Sequence, residues 1–530
     1  MEEKFRWDFP YPSRRMPVLA ENIVSTSQPL ACQVGLSMLR KGGNAIDAAI
    51  ATAITLTVVE PVNNGIGSDA FAIIWDGKKL NGLNASGKSP AAWTVEHFSR
   101  YKSMPLLGWD SVTIPGAVSA WVELSKKYGQ LKFKELFEPA IEYAEKGFLV
   151  SPITANLWKQ LATMYKKRKF PEFHETFIPN GRAPEPGELF INPNQAKTLK
   201  EIAETEGKSF YSGKIAKKIV NHAMNTGGLI TLEDLENHQV KWESPITMGY
   251  KGLTLHELPP NGQGLAALIA LGILKNFDLS QYNPDSPESI HLQIEAMKLA
   301  FSDAYRYISD RKFLEFDTSL MLNSEYLRDR ANLIDIKNAQ MFQFGNPQTG
   351  DTVYLATADS EDMMVSYIQS NYMGFGSGIV VPGTSISLQN RGNGFTLIDG
   401  HPNQVGPEKR PYHTIIPAFV TKKGEPVMSF GVMGGSMQPQ GHIQMITRIF
   451  DYNQNPQAAI DAPRWRVMQR MKVNLEHGFN KETQEHLKKF GHQVYNGHYF
   501  EFGGAQIIYK LEDGYLAASD PRKDGQAVGY

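Results

Sequence analysis

The apolar pattern of the 530-residue chain changes character once, near residue 350. Up to about residue 340 the apolar residues recur mostly with helical spacing. After residue 351 they come as short runs rich in β-branched and aromatic side chains, broken by Gly, Pro and Asp. Helices and antiparallel hairpins joined in one unit call for a layered α+β architecture, because each element must bury one apolar face against another layer. "QPLACQVGLSMLRKGGNAIDAAIATAITL" predicts two packed helices, the first stopped at Gly42-Gly43 and the second capped by Asn44. "FAIIWDGKKLNGLNAS" predicts a hairpin turned at Asp76-Gly77. Beyond residue 351, "TVYLATAD", "MMVSYIQ", "TSISLQN", "TIIPAFVTKKG", "PVMSFGVM" and "AQIIYKLEDGYLAAS" predict strands, interrupted by helices in "QGHIQMITRIFDYN" and "NKETQEHLKKFG".

Charge and composition exclude several classes of function. The 54 basic and 55 acidic residues are spread evenly, so no whole-molecule field draws the chain to nucleic acid or anionic lipid, and a small-molecule partner is expected. The single cysteine, Cys32, rules out a disulfide framework within the chain, and its apolar helical setting predicts a buried, inert thiol. None of the 13 histidines falls in H-E-x-x-H or a comparable ligand spacing, so no metal or other cofactor is expected. The charged, Pro-containing first residues lack the apolar core of a secretory signal, which predicts a cytoplasmic location. Residues 48–59, the longest apolar run, are too few to span a bilayer.

"GLNASGKS" (residues 82–89) matches the phosphate-loop pattern letter for letter. Pro90 follows at once and biases Ser89 away from the helical angles that pattern requires, so a turn after the hairpin is expected instead. "GIGSDA" and "GFGSG" read as Gly-rich turns.

"PQTGDTVYLATADS" (residues 347–360) holds the most informative junction: a polar loop runs directly into a strand at Thr352. A Thr hydroxyl is a weak nucleophile until a base takes its proton, and a chain that begins at Thr can use its own α-amine, of pKa about 7.7–8.0. Cutting before Thr352 would create that amine on a rigid strand end.

Here the chain resembles the γ-glutamyltransferase family of N-terminal nucleophile hydrolases. The markers are "GGNAIDAAIA" (42–51), "TIPGAVSAW" (113–121), "GGLITLEDL" (227–235), "LPPNGQG" (258–264), "FGSGIVVPGTSISLQN" (375–390), "KRPYHTIIP" (409–417) and "GVMGGS" (431–436). The resemblance implies a four-layer αββα sandwich made as one proenzyme that cuts itself after Asp351. Residues 1–351 would form a large subunit and 352–530 a small one that stays bound to it, with dimerisation of that pair left open. Thr352 would be the new N-terminus and the nucleophile of both self-cleavage and turnover, passing an acyl group to water or an acceptor amine. Gly434 and Gly435 align with the family's oxyanion hole, where residues without side chains let backbone N–H groups approach an oxyanion. Ser370 and Asn371 are candidates to assist Thr352, whereas Thr357, five residues on, should face the other side of the sheet.

The substrate positions depart from the family pattern. The usual Arg position holds Ser86, with Lys88 close by; the Gln and Asp positions hold Arg391 and Gly394; the serine pair is replaced by His413 and Thr414. A cation for a substrate carboxylate survives in Arg391 or Lys88. The anion that would meet an α-ammonium is missing. The expected activity is hydrolysis or transfer of γ-glutamyl amides through a Thr acyl-enzyme. The alternatives are a glutaryl or cephalosporin-type acylase of the same family, and a non-catalytic binding homologue.

Overall fold

Two seven-stranded sheets are stacked face to face in the computed structural model, which describes residues 13–314, 316–342 and 351–530. One sheet runs, edge to edge, Val18–Ala20, Gly514–Ser519, Gly504–Leu511, Glu425–Met433, Ala418–Lys422, Leu253–Glu257, Ile246–Tyr250. The other runs Gln526–Gly529, Ile23–Thr26, Asp351–Ala358, Met363–Tyr372, Asp69–Asp76, Leu80–Ala85, Lys241–Glu243. Every neighbouring pair in both sheets is antiparallel.

Alternation along the strands sorts side chains into three apolar layers. Phe71, Ile73, Tyr354, Ile368, Phe419, Met433 and Ile508 fill the space between the sheets. Val353 and Leu355 face the other way, onto the helices Pro29–Arg40 and Ala45–Val59. Helices Gly264–Leu274, Pro287–Tyr307 and Met437–Phe450 cover the far sheet. This is the four-layer α+β sandwich expected.

The helix Ala45–Val59 is buried along its whole length, as an all-apolar helix must be. Asn44 caps it: its side chain accepts from Ile46 N and Asp47 N, and the Asp47 carboxylate accepts from Asn44 N at 3.1 Å. Such a cap contributes about 1 kcal/mol. The same helix end is tied to the strand that begins near Thr352, because Ala45 N donates to Asp359 Oδ2 at 2.7 Å and Thr357 Oγ1 donates to Ala45 O at 2.7 Å. Thr357 therefore lies on the helix side of its sheet.

Several expectations need correction. The N-terminal part is not only helical: it supplies strands to both sheets, among them Ile246–Tyr250 and Leu253–Glu257. "TSISLQN" yields only the two-residue strand Ile386–Ser387, outside the large sheets, and "TIIP" is not strand. After Leu80–Ala85 the chain opens no helix. Instead Ile114 N donates to Lys88 O and Ser89 N to Lys409 O, so "GLNASGKS" ends in an irregular segment bonded to distant parts of the chain, neither a phosphate loop nor the turn expected. Cys32 is buried and its thiol donates to Val24 O at 3.3 Å. Among the described residues no helix is long and apolar enough to cross a membrane.

Candidate active site

Thr352 sits at a register shift. Asp351 pairs with Tyr372 and Val353 with Gln369, so Thr352 alone faces two residues, Ser370 and Asn371. A bulge of this kind bends the strand and re-aims the side chains beside it. The Thr352 hydroxyl is buried and donates to Ser370 Oγ at 3.4 Å, which also accepts from Tyr372 N at 2.7 Å. The Asn371 amide is turned away, accepting from Ser68 Oγ and donating to Ser387 Oγ. Of the two candidates beside Thr352, only Ser370 reaches its hydroxyl.

Gly434 and Gly435 follow the strand Glu425–Met433, with φ of 118° and 61°, in the positive range that favours glycine. Their turn opens the helix Met437–Phe450, whose Gln438 donates through Nε2 to Thr352 Oγ1 at 3.3 Å. Gln263 braces the turn by donating to both Thr414 O and Gly435 O, and its own Oε1 accepts from Tyr412.

A cavity of about 460 Å³ extends from Ser436 past Thr414 to Arg391, walled by Tyr305, Tyr372, Phe395 and Tyr412. That volume suits a small molecule. Arg391 is 1% exposed; its Nη1 donates to Thr414 Oγ1 at 2.7 Å and its guanidinium lies over the Tyr372 ring. Among the described residues its Nε and Nη2 have no partner. These two N–H groups form one side-on face of the guanidinium, the geometry that receives a carboxylate in two parallel bonds.

Behind Arg391 lies a residue the sequence reading passed over. Asp69, in the segment read as a Gly-rich turn, begins a central strand and is buried. Its Oδ1 accepts from Gly116 N at 3.0 Å, and its Oδ2 lies 3.1 Å from His413 Nε2. Burial pushes the Asp69 carboxyl up to about 7, with the Arg391 charge pulling the other way. Burial likewise lowers Arg391 to about 10 and holds His413 well below the usual imidazole value. His413 is thus paired with Asp69 and, unlike Thr414, does not line the cavity. The Lys88 expectation is corrected: Lys88 lines a separate cleft with Lys241, Lys312 and Arg410, because the segment after the hairpin carries it away from the cavity. Ser86 is buried and donates to Asn84 Oδ1, and Gly394 lines the cavity.

Buried titrating groups give a testable pH dependence. Burial lowers His238 to about 3, His256 to about 4 and His442 to about 3. Their neutral forms contribute stability that is present above pH 6.5 and lost as pH falls. Glu60, pushed up to about 7 by burial, works in the opposite sense: the folded state holds its proton where the unfolded chain has released it. The melting temperature is therefore expected to fall between pH 7 and pH 5. Asp69 and Glu257, also raised by burial, act in the same sense as Glu60; Glu60→Gln, which removes one of these opposing groups, should make that fall steeper, and an unchanged slope would contradict the assignment.

Known proteins resemble this chain over nearly its whole length. The family profile described as Gamma-glutamyltranspeptidase matches residues 31–530. The glutathione hydrolase-like YwrD proenzyme of Bacillus subtilis is 36% identical, the alignment covering 96% of this chain and 98% of that one. The oxamate amidohydrolase proenzyme of Klebsiella pneumoniae is 35% identical, covering 94% and 97%. The crystal structure of a cephalosporin acylase from Bacillus halodurans superimposes with a TM-score of 0.95 at 46% identity, covering 99% of both chains.

Proposed function

Since the chain belongs to the gamma-glutamyltranspeptidase family, we propose that it is a self-processing threonine amidohydrolase, with Thr352 as nucleophile and amides of carboxylate-bearing acyl groups as substrates. The observation that carries this reading is a convergence. A buried Thr hydroxyl at a strand end, a Gly-Gly turn with positive φ and a buried guanidinium whose side-on face has no partner among the described residues are linked by a short chain of hydrogen bonds.

In maturation the Thr352 hydroxyl attacks the Asp351 carbonyl carbon, the C–N bond breaks, and the nitrogen leaves as the Thr352 amine. Water then cleaves the ester, freeing the Asp351 carboxylate and regenerating the hydroxyl. In turnover the α-amine takes the hydroxyl proton as Oγ attacks the substrate amide, then returns it to the departing amine. Backbone N–H groups of the Gly434-Gly435 turn would receive the oxyanion. The two products of self-cleavage, residues 1–351 and 352–530, stay together as subunits of one fold.

The acyl group is the open choice, and the cavity favours the glutaryl kind over the γ-glutamyl kind. Arg391 offers a carboxylate a partner, while the nearest buried anion, Asp69, stands behind Arg391 and is committed to Gly116 and His413. Asp399 is the cavity's carboxylate and sits exposed at its mouth. A buried ammonium without an anion costs several kcal/mol. The relative named as an oxamate amidohydrolase fits a substrate class without that ammonium, since oxamate joins an amide to a carboxylate alone. Release of p-nitroaniline from glutaryl-p-nitroanilide is expected to exceed that from γ-glutamyl-p-nitroanilide by about tenfold or more in kcat/KM. The reverse order would return the γ-glutamyl reading to first place, and release from neither would leave a binding homologue.

A further inference from the structure

Gln438 is fully buried, and its amide is fixed in one orientation: Oε1 accepts from Ile416 N at 2.9 Å, so only the Nε2 donor faces Thr352 Oγ1, at 3.3 Å. Reversing the amide would set two donors against each other at Ile416. Thr352 Oγ1 therefore accepts one hydrogen bond from Gln438 and must send its own proton elsewhere, here to Ser370 Oγ.

We propose that Gln438 is a catalytic residue that stabilises Thr352 Oγ when it leaves the acyl ester. The inference rests on Thr352 being the nucleophile. In the acyl-enzyme Oγ is an ester oxygen and a weak acceptor. As water or an amine attacks, its proton passes to the neutral α-amine of Thr352; the C–Oγ bond then breaks, its electron pair returns to Oγ, and the α-amine hands that proton to Oγ. The Gln438 N–H bond strengthens as that negative charge grows, so it stabilises the transition state more than the ester. Resolution of the ester formed in self-cleavage breaks the same bond and draws on the same donor.

The test uses two variants of the full chain, with the parent alongside and folding checked by thermal melting. Gln438→Met removes the donor. With glutaryl-p-nitroanilide it is expected to give a burst of about one equivalent of p-nitroaniline, then a steady rate about 100-fold below the parent. Slow ester breakdown then limits the cycle. Gln438→Glu keeps the acceptor for Ile416 N. Its neutral carboxyl can still donate to Oγ, so its activity should be highest at low pH and fall, relative to the parent, as the carboxyl ionises. A parent-like steady rate in Gln438→Met, or a loss without a burst together with a Gln438→Glu pH profile parallel to the parent's, would overturn the proposal. If the parent is not cut before Thr352, the functional reading itself falls and takes this inference with it. If the parent is cut and active while both variants match it, this inference alone falls.

Discussion

Thr352→Ala is expected to run on a denaturing gel as one band of 59.2 kDa, while the unaltered chain runs as two fragments summing to that mass. Amino-terminal sequencing of the smaller fragment should begin Thr-Val-Tyr-Leu. The variant should fold, because among the described residues the Thr352 side chain makes only hydrogen bonds of 3.3 Å and longer, and it fills little space. Its amidase activity should drop by about 10⁴-fold or more, since loss of a covalent nucleophile leaves only what binding and the oxyanion site provide. A variant that still divides at the same bond, or a mature fragment with another first residue, would end the assignment.

Arg391→Ala should have the second largest effect, and it should depend on the substrate. For glutaryl-p-nitroanilide, kcat/KM is expected to fall roughly 10²- to 10³-fold, the cost of leaving a carboxylate in an aromatic cavity without its bidentate partner. Butyryl-p-nitroanilide, which lacks that carboxylate, should be turned over about as in the parent. Arg391→Lys should not restore the lost activity, because one ammonium cannot bond Thr414 Oγ1 and present two parallel donors together. Equal losses on both anilides would show that Arg391 only supports the fold around Asp69.

What the sequence disclosed and what it hid divide along a physical line. Thr352 could be read because its chemistry needs a loop running into a strand, and both are local patterns. The Gly434-Gly435 turn was readable for the same reason, since a strand ending in two glycines is a local backbone statement. Asp69 was hidden because nothing in "GIGSDA" says that its carboxylate will meet His413, 344 residues away. Gln438 lies two residues before the segment read as a helix, and its link to Thr352 spans 86 residues. Lys88 misled because closeness in sequence to the family's substrate position does not fix which side of the segment a side chain leaves from. The strands Ile246–Tyr250 and Leu253–Glu257 escaped because they are five residues each and half exposed, too short to set a period against the helices around them.

The strand order carries a consequence for the life history of the molecule. In one sheet Ile23–Thr26 is held between Gln526–Gly529 and Asp351–Ala358, so a strand from before the proposed cut is clamped by two from after it. In the other sheet Gly514–Ser519 pairs with Val18–Ala20, and Ala418–Lys422 pairs with Leu253–Glu257. The interleaved pieces cannot part without tearing both sheets, so severing the backbone leaves the folded body intact. It does change the way back. The precursor folds as a single chain, at a rate independent of concentration, whereas the cut form, once unfolded, must find its other half by collision. Self-cleavage at the proposed bond would therefore act as a ratchet: assembly is guided by one covalent thread, and the thread is removed after it has served.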